Sequence, residues 1–289
     1  MKNKENQALW TAFRLLGPLL FYELCTEAVG VACSLFGTQN ALTVTGGGAF
    51  LALPFLYAAY RKRQAAEEAQ KRRVPVQNMD PTQRAGRVPC TGQQQRRRHL
   101  FAGCVCSALA GIGACLCPNV LLQFLLPPSD GWDSTRETVY GASLAVQVLV
   151  TVVLAPLTEE VLFRGLIRTE LRTHMKPRAA ALLGALLFGL YHGNISQGIY
   201  AFLLALCLEP VCEWGGCLLP AVFLHAGANG AAICFTALES GMPAASGGQS
   251  ALAVAAGMVL TAAALYKTKE VFGKSLNYYP LHCPDRGRV

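Results

Sequence analysis

Residues 139–164 read VYGASLAVQVLVTVVLAPLTEEVLFR: a long apolar run, Val139–Leu157, closes on two adjacent glutamates and, four residues after the second, an arginine. Such a run is close to the roughly 20 residues that carry a helix across the hydrocarbon core of a bilayer. Glu159 and Glu160 then fall at or just inside the apolar zone, where ionisable side chains are costly and usually functional. On a helix Glu160 and Arg164 are i,i+4 neighbours and can pair, while Glu159 points about 100° away and is left free for chemistry. A plainer reading, in which all three simply mark the membrane boundary, stands beside this one.

The rest of the chain supports a membrane setting. Of its 289 residues 53% are apolar and only 15% charged. Apolar blocks lie near 9–36, 41–60, 100–126, 138–163, 179–196, 198–213, 217–237 and 249–266. The expected fold class is therefore all-α, a polytopic membrane helix bundle of about eight transmembrane helices forming one membrane-embedded domain over 1–289. The first block begins too soon and runs too long for a signal peptide, so it is expected to stay as an anchor. No internal repeat of the kind many transporters carry is visible.

Charge is concentrated in one place. Arg61–Arg98 holds eleven Lys and Arg against Glu67, Glu68 and Asp80, which accounts for the whole formal charge of +8. Rich in Gln, Pro and Gly, the stretch 61–99 reads as a disordered, cytoplasmic loop that obeys the positive-inside rule. Contact with anionic lipid headgroups suits it better than nucleic acid, which is not expected as a partner. Both termini then face the cytoplasm, Pro127–Glu137 with its acidic excess faces outward, and Arg164, Arg168, Arg172, Lys176 and Arg178 return to the cytoplasmic side. Ten of the twelve cysteines, all but Cys90 and Cys283, lie in or beside apolar stretches and read as small packing residues.

Two further segments carry polar groups in apolar surroundings. Residues 186–194 read LLFGLYHGN, with Phe188 and His192 four apart, and residues 219–230 read LPAVFLHAGANG, with His225 and Asn229 likewise spaced. One histidine in an apolar helix is commonly a hydrogen-bonded core residue. Two of them, with an asparagine and a paired carboxylate, point to a site. Glu159 and His192 are equidistant from the centre of the expected turn Thr173–Arg178, so an antiparallel hairpin sets them at similar depth. His225 can approach from a third helix.

Glu159-Glu160-x-x-x-Arg164, Phe188-x-x-x-His192 and His225-x-x-x-Asn229 resemble, in order and spacing, the three motifs of the CAAX-protease and bacteriocin-processing (CPBP, or Abi) intramembrane endopeptidases. The resemblance covers roughly 145–240, within an expected catalytic core of about 138–240. It implies hydrolysis of a peptide bond in a membrane-associated protein or peptide by a bacterial-type member in the cell membrane. By position, Glu159 would activate the attacking water and His192 would hold that water or share its proton. His225 and Asn229 would face the oxyanion, with Glu160 and Arg164 bracing the site. The water is expected to need no metal; zinc on Glu159, His192 and His225 is the alternative within the enzyme class. Outside that class stand a transporter or proton relay built on membrane-embedded Glu and His, and a non-catalytic immunity or scaffold protein. Glu23 and Glu27, four apart in the first block, read as structural or boundary residues. Neither the substrate, prenylated or not, nor the oligomeric state follows from the sequence.

The orientation is open to direct test. A cysteine reporter introduced as Ser134→Cys is expected to react with an impermeant thiol reagent from the outside; reaction from the cytoplasmic side alone would invert the assignment.

Overall fold

A computed structural model describes residues 2–37, 40–72, 92–125, 137–239 and 247–278, and among these every regular element is helical. Eight long helices follow one another: α1 (Lys2–Leu35), α2 (Ala41–Arg72), α3 (Gly92–Leu125), α4 (Leu144–His174), α5 (Pro177–Tyr191), α6 (Ile195–Gly215), α7 (Leu219–Glu239) and α8 (Gly247–Tyr278). Seven are long and apolar enough to cross a membrane, and α5 is a shorter apolar helix. Each expected apolar block is thus a helix. Large apolar side chains stand exposed on their outer faces, among them Leu9, Phe13, Leu20 and Leu24 on α1, as lipid contact requires.

Two boundaries differ from the sequence reading. The basic stretch does not begin in a loop, because α2 runs on to Arg72 and α3 starts at Gly92. Residues 61–72 are mostly Arg, Lys, Gln, Ala and Glu, all good helix formers, and Glu67 and Glu68 precede Lys71 and Arg72 by four residues. Residues 73–91 and 126–136, which carry the remainder of the basic stretch and most of the expected outward loop, lie outside the described residues, as do Cys90 and Cys283. No disulfide joins the described cysteines. The second difference is at α5, which stops at Tyr191 instead of continuing to 196. Gly193 takes a left-handed φ of 73°, open to glycine at little cost, and the Asn194 side chain caps α6 by accepting from Gln197 N at 2.8 Å.

The helices enclose two apolar cores that share α6. In the first, Leu162, Phe163, Leu166 and Ile167 of α4 pack with Phe188 of α5, Leu56 and Tyr60 of α2, Tyr22 of α1, and Ala201 and Ala205 of α6. The second joins Ala110 and Cys115 of α3 to Leu204 and Leu208 of α6, Leu224 and Ala228 of α7, and Ala264 of α8. Lipid is as apolar as leucine, so burial supplies little drive between helices; close packing of small residues does more. The α3–α7 seam shows this. A Cβ on Gly111 would strike the carbonyl oxygen of Leu224, and one on Gly227 would strike that of Ala108.

Neither backbone carbonyl can swing aside as a side chain would. Gly111→Ala is expected to lower stability in detergent by about 1–3 kcal/mol, the usual penalty of overpacking. Gly273→Ala, whose added methyl would meet nothing within 4 Å, serves as the control and should melt at or above wild type. Equal melting of Gly111→Ala and wild type would refute the close α3–α7 contact.

Candidate active site

The helix that carries the two glutamates widens into π-helical turns twice. α4 is π-helical over Val148–Leu154, α-helical over Ala155–Glu160, π-helical again over Val161–Ile167, and α-helical to His174. Pro156 gives a local cause for the first π segment. It has no N–H, and in an i→i−5 turn its missing bond would have gone to the carbonyl of Thr151. That carbonyl instead accepts from Asn229 Nδ2 at 2.7 Å. In the second π segment the carbonyl of Leu166 accepts from Arg63 Nη1 of α2 at 2.9 Å. Both π segments are thereby tied to neighbouring helices.

Between the two π segments the paired glutamates diverge. Glu160 is wholly buried, and its Oε1 receives Arg164 Nη1 at 3.1 Å and faces His225 Nδ1 at 2.9 Å. A carboxylate opposite Nδ1 assigns the ring proton to that nitrogen, which turns Nε2 toward Glu159. The Glu159 side chain keeps 13% of its surface exposed, and its Oε2 lies 3.8 Å from His225 Nε2 without a hydrogen-bond donor. The expected i,i+4 pair of Glu160 and Arg164 is present. His225 is buried and touches both carboxylates.

His192 reaches the cluster from the end of α5. Its Nδ1 donates to the carbonyl of Phe188 at 2.8 Å, so Nε2 keeps its lone pair. It lies within electrostatic reach of Glu159, His225 and Arg164. Phe188, fully buried, is the common wall: its ring meets the His192 ring at 4.9 Å and the His225 ring at 5.7 Å, both edge-on, and the Arg164 guanidinium lies over it at 4.6 Å. Asn229 belongs to the same helix face as His225, but the bond the structure shows for its amide is the one to Thr151. A primary amide has two donor hydrogens, and only the second could serve an oxyanion. Glu159, Glu160, Arg164 and His225 thus meet on α4, Phe188 joins His192 to them, and Asn229 meets the same helix at Thr151. An open apolar groove of about 410 Å³ runs along the α5–α6 hairpin past Gly193 and Asn194, and its lining includes none of the six.

The charges beyond the motif have partners on another helix that the sequence reading did not name. Arg168 is not a free cytoplasmic cation, because it is buried with its Nε 2.7 Å from Glu209 Oε2. Arg164 is not held by Glu160 alone, since its Nε lies 3.4 Å from Glu209 Oε1. The partner comes from α6, far along the chain, and a local reading cannot pair the two. Arg172, Lys176 and Arg178 are exposed. Tyr22 of α1 was missed as well. Buried at 3% exposure, it bonds Tyr191, which bonds Glu23, and both tyrosines feel the charge of Glu159. Glu23 is thus a partner of the site's border, with Glu27 exposed one turn further on. The only signal in the sequence was Tyr191 immediately before His192.

Among the described residues no three His, Cys, Asp or Glu side chains are grouped to hold a metal ion. His225 Nδ1 and His192 Nδ1 are engaged by Glu160 and by Phe188, which leaves the Nε2 atom of each ring open to a water or an ion. No step below is routed through a metal.

The ion pairs set an order of stabilities. Arg164→Met leaves two buried carboxylates, Glu160 and Glu209, without that guanidinium and should cost on the order of 3–5 kcal/mol. Glu160→Gln should cost less, because Arg164 keeps Glu209. Thermal unfolding in detergent measures both, and the reverse order would contradict the shared pairing.

No curated protein and no solved structure matches the chain. A family model does: residues 141–231 match type II CAAX prenyl endopeptidase Rce1-like proteins. That interval begins just before α4 and ends inside α7, so it contains Glu159, Glu160, Arg164, His192, His225 and Asn229 together with Glu209. Seven apolar helices long enough to span a bilayer agree with an integral membrane protein of that kind. Residues 141–231, which hold the polar cluster buried in the helical bundle, are thus similar to the Rce1-like, type II CAAX prenyl endopeptidase family.

Proposed function

We propose that the chain is an intramembrane endopeptidase that hydrolyses a peptide bond in a membrane-associated protein or peptide, using a water activated by Glu159. The observation that carries this reading is the contrast between two neighbouring carboxylates: Glu160 has no exposed side-chain surface and is committed to Arg164 and His225, whereas the Glu159 side chain keeps 13% of its surface exposed. A base has to be available to its substrate, and Glu159 is.

In the proposed reaction Glu159 takes a proton from water as the water oxygen bonds to the scissile carbonyl carbon. His192 Nε2, an acceptor, orients that water. The carbonyl oxygen becomes an oxyanion, toward which the second amide hydrogen of Asn229 and an Nε2 proton on His225 would be directed. To donate there His225 needs a proton on Nε2 as well as on Nδ1. Collapse of the tetrahedral species breaks the carbon–nitrogen bond, and the proton held by Glu159 passes to the leaving amine. Atoms and charge balance without a co-reactant. Zinc chemistry is not part of this route, and both termini are taken to be cytoplasmic.

The test compares membrane proteomes of cells carrying wild type and Glu159→Gln, and then assays the peptides whose cleavage disappears with purified protein. Glu159→Gln keeps the size of the side chain and removes the base. Hydrolysis should fall by on the order of 10² to 10⁴ with an unchanged melting temperature. Prolonged chelation should leave wild-type cleavage intact. Cleavage by Glu159→Gln at the wild-type rate would refute the role of the base, and stoichiometric zinc whose removal abolishes activity and whose return restores it would refute the metal-independent route.

A further inference from the structure

The buried charges of α4 continue well past the motif. Arg164, Arg168 and Arg172 recur every four residues on α4, and Glu209 and Glu213 are four apart on α6. Arg164 Nε is 3.4 Å from Glu209 Oε1, Arg168 Nε is 2.7 Å from Glu209 Oε2, Arg168 Nη2 is 3.2 Å from Glu213 Oε2, and Arg172 Nη2 is 3.5 Å from Glu213 Oε1. Together with Glu160 these make a ladder of alternating sign that is fully buried at its site end and opens at Glu213, whose side chain is 52% exposed. Its three arginines balance its three glutamates. Glu159 stands outside the balance.

The first rung is crowded. Arg164 Nη1 and His225 Nδ1 both address one atom, Glu160 Oε1, while Glu160 Oε2 is buried with no hydrogen-bond partner. A free guanidinium would turn its fork onto both oxygens, the preferred geometry for arginine and carboxylate. It would then compete with His225 for Oε1. Glu209 opposes this from the Nε side of the guanidinium, 3.4 Å away, and Nη2, the second nitrogen of that fork, stays buried without a hydrogen-bond partner. Without Glu209, Arg168 also loses its 2.7 Å partner, and two like charges on neighbouring turns of α4 face one gap.

We propose that Glu209 is a positioning residue of the candidate active site: it draws the Arg164 guanidinium away from a two-point grip on Glu160, so that Glu160 keeps His225 turned with Nε2 toward Glu159. For its effect on rate the proposal rests on the peptidase reading above; its effect on His225 does not.

Two variants separate positioning from mere bracing of α4 against α6. Glu209→Gln and Arg168→Gln both remove the 2.7 Å contact and should lower the melting temperature alike, but only Glu209→Gln also removes the contact to Arg164. The full chain in nanodiscs, labelled with 15N-histidine and with His225 assigned by His225→Gln, reports the Nδ1 proton on Glu160. That signal should broaden or exchange rapidly in Glu209→Gln and persist in Arg168→Gln. With a peptide found in the Glu159 comparison, Glu209→Gln should lower kcat on the order of tenfold to a hundredfold with KM within about twofold, and Arg168→Gln should keep kcat within about twofold of wild type. An unchanged His225 signal in Glu209→Gln, or loss of kcat in both variants in step with the folded fraction, would overturn the proposal. If the wild type cleaves nothing, the peptidase reading fails while the His225 signal still decides the position of Glu209.

Discussion

A carboxylate with no exposed surface, held inside a membrane protein, imposes conditions on everything around it. Removing Glu160 from water costs several kcal/mol unless charge and hydrogen bonds replace what water supplied. Arg164 and His225 provide that replacement at 3.1 and 2.9 Å. Because His225 belongs to α7, the pairing fixes α7 against α4. Because Arg164 also lies over Phe188 and against Glu209, it fixes α5 and α6 too. Four helices are registered by one ion-pair system, and the apolar contacts around it fill space that the charges have already defined.

The same constraint explains why α4 tolerates two π segments in a core where unpaired backbone groups are expensive. A π turn alters the backbone ladder and can leave a carbonyl without its usual partner. At Thr151 the donor is the Asn229 amide and at Leu166 it is the Arg63 guanidinium, so neither oxygen is abandoned. Asn229 thus does structural work for α4 one turn beyond His225. A residue carried over from a family motif as an oxyanion donor has a second and more immediate task, and removal of its amide would disturb the helix that bears the glutamates as well as any bond to a substrate.

Much of this was legible in sequence because it is local. Eight apolar blocks predict eight helices, and the i,i+4 rule pairs Glu160 with Arg164. The turn expected between Thr173 and Arg178 is also present, since α4 ends at His174 and α5 begins at Pro177. What escaped was long-range or depended on a helix ending early. Arg168 shows no partner in the sequence until Glu209, on a different helix, is brought to 2.7 Å. His192 reads as a mid-helix residue until Gly193 stops α5 beside it. Nothing in the spacing of Tyr22 announces that α1, outside the matched interval, closes one side of the site.

Burial along α4 completes the separation of the two glutamates. On the N-terminal side of Glu159 the helix shows Leu144, Val148, Leu149 and Val153 outward, as a lipid-facing span does. On the C-terminal side every residue from Glu160 through Arg168 is buried, wrapped by α1, α2, α5 and the side chains of α6. Glu159 occupies the crossing point, partly exposed where its neighbour is sealed. The adjacency of the two acids sets one in the interior, where it meets His225, and the other at the border, where the proposed reaction would need it.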